Sequence, residues 1–534
     1  MAGFIDVLLR GLILCAQAVT LGGVAFALLV LTPAARVRPD LGPLRERTFL
    51  LIALGAATIA VAQSLALILQ VRTLAGAEAW PIADVSETTF FRVGVARIVA
   101  ALGVVTAVLL RRASLPSFGT DDQVQPARRV WTGTIVACGL GLGILSAGTS
   151  HAAARVDGRL LLYVLDVLHQ VAASVWIGGL LHLLVTAFSR RHPTWPGLLL
   201  PRFSALALTA VSVLVASGAA LAFSYIDGGA ALAGTAYGLM VVTKIVLLGG
   251  LLTLGALNFF EVRRLNGPDD VPAGRLRHFV EVELGVGVVV LLAAASLTSI
   301  PPAVDVVDDR ATIGEIAQVF TPKLPRLVSP AHGELPVDDP WAPRTDADRA
   351  WSEYNHHTAG FFVLTMGLLA IASRTTWGRW ARHWPLLFLG LAVFLIIRND
   401  PGAWPLGPQG FWEGMTYPGV LQHRIAVFLV VTFGVFEWAV RTGRLRTPRA
   451  ALVFPLLCVV GGTLLLTHSH ASLNLKAEYL VEITHTPIGV LALLVGWARW
   501  LELRVAAPEN QLPGRLWPVA FTMIGVLLIL YREV

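Results

Sequence analysis

Apolar runs of about 20 residues, the length that crosses a bilayer, recur from one end of the chain to the other. Short polar stretches separate them. About fourteen such segments can be read: 4–31, 48–71, 91–110, 130–148, 160–188, 203–224, 237–260, 279–299, 355–373, 384–397, 420–440, 450–467, 478–498 and 516–531. In hydrocarbon every backbone polar group has to be satisfied inside its own segment, so runs of this kind fold as helices. The expected fold is all-α, a polytopic membrane helix bundle. The run at 384–397 is short and is expected to extend into its neighbours.

One stretch breaks the rhythm. Residues 301–353 are polar, acidic and rich in proline, and Pro301-Pro302 closes the eighth segment sharply. Three parts follow: an eight-helix block over 1–305, an extracytoplasmic linker over 306–353, and a six-helix block over 354–534. Within the linker, 311–320 reads as one short helix and the rest as extended chain.

Composition supports the same picture. The 534 residues are 55% hydrophobic and only 14% charged, against about 25% charge in soluble domains. The net charge of +7 calls for no nucleic acid, because the arginines fall in short loops. Loops after odd-numbered segments hold 25 of these positive charges and loops after even-numbered ones hold nine. The positive-inside rule then places both termini outside. The N-terminal apolar run is too long for the core of a signal peptide, so a cleaved leader is not expected. Cys15, Cys138 and Cys458 lie in separate apolar runs and have no metal-site spacing.

The candidate chemistry lies in polar residues inside or beside the apolar runs, where a charge costs at least about 2.5–3.5 kcal/mol unless it is paired or binds something. On this topology nine of the thirteen histidines fall on the outer side. In the last block, Glu353, His356 and His357 enter the ninth segment, His423 the eleventh, and His468 and His470 leave the twelfth. Glu478, Glu482 and His485 line one face of the thirteenth. Imidazole suits copper, zinc, iron and nickel, and carboxylates add hard ligands. These residues are candidate metal or haem b ligands; ordinary interfacial polarity is the plainer alternative. In the first block the candidate metal ligands are His151, which precedes the fifth segment, and Asp166 and His169, which share a face within it. Trp176 extends that stripe, Lys244 lies in the seventh segment, and Glu281 and Glu283 open the eighth. An ion pair of Asp166 with Arg97 or Lys244 that fixes helix packing is compatible with either reading. Glu281 and Glu283 are candidate relay groups.

Several classes are excluded or disfavoured. The five methionines form no cluster, which argues against a thioether-lined cuprous pathway. No nucleotide-binding loop and no CxxCH haem-attachment motif is present. Transport is expected rather than catalysis.

The first block also resembles the bacterial copper-resistance D (CopD) membrane-protein family. The resemblance rests on Ser150-His151-Ala152-Ala153, on Asp166-Val167-Leu168-His169 with Trp176-Ile177-Gly178-Gly179-Leu180, and on Arg202-Phe203-Ser204. Tyr237-Gly238, Lys244, Asn258, Glu281, Glu283 and Pro301-Pro302 follow in the same order. It covers about residues 1–305. It implies an eight-helix protein of the bacterial inner membrane that moves copper between periplasm and cytoplasm, beside a small periplasmic copper chaperone. The six-helix block lies outside that core and adds a haem-binding redox or oxidase-assembly role as the alternative function.

Overall fold

The computed structural model describes residues 2–77, 80–114, 121–188, 194–265, 270–272, 274–335, 345–467 and 475–533. The fold is a membrane helix bundle, with twelve helices among the described residues long and apolar enough to cross a bilayer. The chain packs as two compact units. One holds Ala2–Asp227 with Lys244–Pro302, the other Gly228–Thr243 with Ala303–Val534.

The first eight helices are α1 (Gly3–Val37), α2 (Gly42–Ala77), α3 (Thr89–Ala113), α4 (Asp121–Ser146), α5 (Arg159–Phe188), α6 (Leu199–Tyr225), α7 (Ala236–Arg264) and α8 (Gly274–Leu297). Their ends follow local chemistry. The Thr88 hydroxyl caps α3 by accepting from the Phe91 N–H, and Arg111 and Arg112 close its last turn, where cations favour the helix dipole. Neighbours in sequence pack as hairpins: α2 on α3, α3 on α4, α5 on α6. The core of this unit gathers Phe26, Trp176, Leu180, Trp195 and Phe203. A two-stranded ribbon, Thr194–Pro196 against Asp270–Pro272, is an addition to the all-helical expectation. It carries Trp195, whose indole N–H donates to the Leu183 carbonyl at 2.9 Å.

Helices α1 and α5 approach each other backbone to backbone. A Cβ at Gly178 would lie 1.7 Å from the Ala18 carbonyl oxygen, and one at Gly22 would lie 2.5 Å from that of Ser174. Each helix thus presents a pair of small residues four apart, the pattern that lets membrane helices touch backbone to backbone. The contact falls where α1 widens into a π-helical turn over Ala18–Gly22.

The second unit contains α9 (Ile313–Phe320), α10 (Asp346–Ala372), α11 (Leu387–Arg398), α12 (Pro418–Arg441), α13 (Val453–Leu466), α14 (Leu475–Arg504) and α15 (Gln511–Ile529). The short segment at 384–397 is lengthened by a 3-10 stretch, so the spanning element runs Arg379–Arg398. The segments expected at 355–373 and 450–467 are also helices, yet they fall outside the twelve. The apolar part of α10 begins with Asn355, His356 and His357, which dilute its hydropathy. The apolar helix that includes α13 runs only Ala450–Leu466. An aromatic core of Trp384, Phe388, Phe454, Trp517 and Phe521 holds the bundle.

The polar stretch before α10 is packed within this second unit. Helix α9 forms inside the expected 311–320 interval, with a capping box between Thr312 and Glu315. Its Val319 joins a small core with Ala311, Tyr479 and Leu480. Lys476 and the Thr312 donors hold Glu315 at a pKa of about 2, below the usual carboxylate range. A depressed carboxylate stabilises above its unfolded value, and that stabilisation disappears as pH falls toward about 2.

Two outcomes follow from this packing. Gly178→Val should lower stability in detergent by at least about 1–3 kcal/mol. Gly139→Ala, whose new methyl would first meet an atom at 3.6 Å, should stay within about 0.5 kcal/mol. Equal melting temperatures for the two variants would refute the close contact. Lys476→Ala should speed hydrogen exchange of the α9 amides at neutral pH by about 2–5-fold, the scale of an exposed pair, and leave α15 unaffected.

Candidate functional site

Helix α5 brings most of the first unit's candidate residues into line. Asp166 accepts from the Gln170 amide at 2.9 Å and from the Ser150 side chain, with Lys244 and His151 in electrostatic range. Arg97, the other partner considered for it, lies in a different cluster with Gln17. The Asp166 carboxylate is therefore held by neutral donors with a cation nearby.

One turn on, His169 Nδ1 meets the Leu214 carbonyl at 3.1 Å and the Ser217 hydroxyl at 3.3 Å. Both partners are on α6. The ring fits because residue 218 is glycine; a Cβ there would lie 2.8 Å from His169 Cε1. With Nδ1–H donated to a carbonyl, Nε2 carries the lone pair, the tautomer assigned by the hydrogen bond. Lys244 is in electrostatic range of His169 as well. His151 begins the short helix His151–Ala154. Its Nε2 lies 3.3 Å from the Leu297 carbonyl, and its ring stands edge-on to Tyr225.

Deeper along α5, the Trp176 indole donates to Glu283 Oε1 at 3.0 Å, and the Asn258 amide donates to Glu283 Oε2 at 2.6 Å. Trp176 and Glu283 are each only 3% exposed. Glu281 does not join this network; it pairs with Arg277 at 2.9 Å and His278 at 3.2 Å. Two positions apart on a helix, the two glutamates face different neighbours. Further on, His182 Nε2 donates to the Val19 carbonyl at 2.9 Å, in the π-helical turn of α1. Its buried Nδ1 has no partner among the described residues.

In the second unit the structure brings His356 and His485 together, with ring centroids 5.4 Å apart. Each Nδ1 donates to the carbonyl four residues earlier, Ser352 at 2.8 Å and Val481 at 2.9 Å. His356 stacks on Tyr531 at 3.8 Å. Glu482 lies one turn from His485, and Glu478 is close enough to repel its charge. The remaining candidates turn to other partners. His357 accepts from the Arg326 backbone N–H at 2.7 Å and donates to the Tyr531 carbonyl at 2.8 Å, which occupies both ring nitrogens. Glu353 pairs with Arg326 at 3.3 Å, and His423 with Asp400 at 2.7 Å. His468 and His470 lie outside the described residues. Among the described residues, no three His, Cys, Asp or Glu side chains are placed to hold one metal ion.

Sequence reasoning missed Tyr531 and Asp400. Tyr531 follows the last apolar run, and Asp400 sits in a Pro- and Gly-rich loop, so neither belongs to a periodic pattern. Ser217 and Gly218 do not stand out either, because segment 203–224 is rich in alanine and serine throughout.

A bundle of apolar helices with hydrogen-bonded polar groups inside it defines a multi-pass α-helical membrane protein. Residues 197–297 match the family model described as copper resistance protein D. That range contains α6, α7 and α8, and so the partners of His169, Lys244, Asn258 and Glu283. Over that range the chain is similar to this family. It is also similar to copper transport protein CutJ of Bacillus subtilis (strain 168), with 32% identity over 207 residues, 38% of this chain and 35% of that protein. The chain thus spans about a third of the length of this relative. No solved structure matches the chain.

Trp176→Phe should leave the buried Glu283 with one donor fewer. The expected loss is about 1–3 kcal/mol, read from thermal unfolding in detergent, with Asn258→Leu giving a loss of similar size. Unchanged stability in both would show that the network is not a structural element.

Proposed function

We propose that this protein is a copper transport and homeostasis protein of the bacterial inner membrane, and that copper passes along α5. One observation carries the reading. Asp166, His169, the Trp176–Glu283–Asn258 network and His182 succeed one another along a single helix. From Asp166 to His182 the rise is about 24 Å at 1.5 Å per residue, most of a hydrocarbon core about 30 Å thick. Polar groups at that depth are costly and characteristically mark ion pathways. The neutral imidazole of His169, held through Nδ1, offers Nε2 as a ligand of the kind copper accepts. Lys244 near Asp166 balances the acid, and Glu281, nearer the opposite end of the bundle, serves as an exit-side group.

The family match at residues 197–297 and the similarity to a copper transport protein support this reading. In the second unit, the paired imidazoles of His356 and His485 form the capture site on the outer face, with Glu482 one turn along as an acid beside it. His151, His423, His468, His470 and Glu478 provide further outer-side ligands and acids, whereas His357, with both ring nitrogens hydrogen-bonded, and Glu353, paired with Arg326, hold the packing around them. A periplasmic copper chaperone is the partner this arrangement suits.

Copper content and an absorption spectrum measured on one purified sample test the proposal. The full chain should retain copper with affinity about 10–100-fold above that of His169→Ala, and His356→Ala/His485→Ala should lose occupancy independently. Equal copper content in all three would overturn the reading. A Soret band in copper-free protein would assign the second unit to haem b instead.

A further inference from the structure

Arg97 is buried in the first unit, and its hydrogen bond goes to Gln17 rather than to a polar group of α5. It projects from α3 toward Gln17 of α1, and Gln63 of α2 lies about a turn away. Gln63 Nε2 is 3.2 Å from where a Cβ on Gly94 would sit. The three side chains are only 6%, 1% and 3% exposed. The guanidinium donates to Gln17 Oε1 at 3.4 Å, long beside the roughly 2.7–2.9 Å of a charge-assisted bond. Arg97 Nε, Gln17 Nε2 and Gln63 Oε1 have no hydrogen-bond partner among the described residues.

No carboxylate among the described residues pairs with Arg97. Asp166 is committed to Ser150 and Gln170. The charged group in electrostatic range of Arg97 is Arg10, a second cation, and Arg10 has its own partner in Asp6 at 2.6 Å. A guanidinium keeps its proton, and an isolated charge in such surroundings is strongly disfavoured unless something compensates it. Two N–H donors around one buried positive charge suit a small anion. A half-turn of the Gln63 amide supplies a third donor.

We propose that Arg97, with Gln17 and Gln63, forms a binding site for a small monovalent inorganic anion of the halide class. The site does not depend on copper handling. It compensates the charge on α3 and ties α1, α2 and α3 together through one bound ion.

The test uses the full chain in detergent, exchanged into gluconate and titrated with sodium chloride or bromide at constant ionic strength. Wild type should show a saturable rise in melting temperature of about 2–4 °C. Arg97→Gln should show none. Gln17→Glu places a fixed negative charge beside the guanidinium. It should therefore melt above wild type in gluconate and ignore halide, which decides the matter if Arg97→Gln fails to fold. Wild type insensitive to halide, or a wild-type response in either variant, would overturn the proposal.

Discussion

The first unit depends on the contact between α1 and α5 at Gly22 and Gly178. In a bilayer, apolar surface gains little by leaving lipid for protein, so helices associate through close packing and polar contacts. Two glycines bring the backbones together. The approach also sets the register of α5, because Gly23 leaves room for the His182 ring, whose Nε2 would lie 2.4 Å from a Cβ there. The π-helical turn that starts at Ala18 coincides with this contact. The Val19 carbonyl in that turn receives the His182 proton. Helix packing and the last polar position on α5 thus share one geometric cause.

The same constraint governs the polar residues. Asp166, His169, Glu283 and His182 are each held by hydrogen bonds from neighbouring groups, and only Asp166 and His169 have a charge of opposite or like sign close by in Lys244. Neutral hydrogen bonding satisfies a buried group while leaving its protonation or ligation free to change, whereas a tight ion pair locks it. The second unit shows the contrast. Glu437 is fully buried and bridges Arg441 at 2.7 Å and Arg499 at 3.4 Å, while Glu502 takes Arg374 and Arg499 at 2.7 and 2.6 Å. Arg441 and Arg499 also lie over the Trp517 ring. Such an ion-pair network holds helices together.

His356 and His485 fall between these extremes. Their Nδ1 atoms are tied to carbonyls of their own helices, and stacking on Tyr531 fixes the His356 ring. That leaves Nε2 of each imidazole in the lone-pair tautomer. His357, adjacent in sequence to His356, has both nitrogens occupied. Consecutive residues on a helix point about 100° apart, so a His-His pair in sequence is divided between two jobs.

The sequence by itself determined the membrane class, the helical fold and the approximate place of nearly every spanning helix. The cost of unpaired backbone in hydrocarbon leaves few other structures for apolar runs of that length. It also singled out Asp166, His169, Trp176 and Glu283, because polar groups stand out against an apolar background. Tertiary structure decided which of them meet. The Trp176–Glu283–Asn258 contact joins residues far apart in the chain, and no periodicity encodes it. The same holds for the separation of Arg97 from Asp166 and for the pairing of His356 with His485 while His423 turns to Asp400. Helical spacing states which residues share a face; which neighbour that face meets is set by where glycines let two backbones approach.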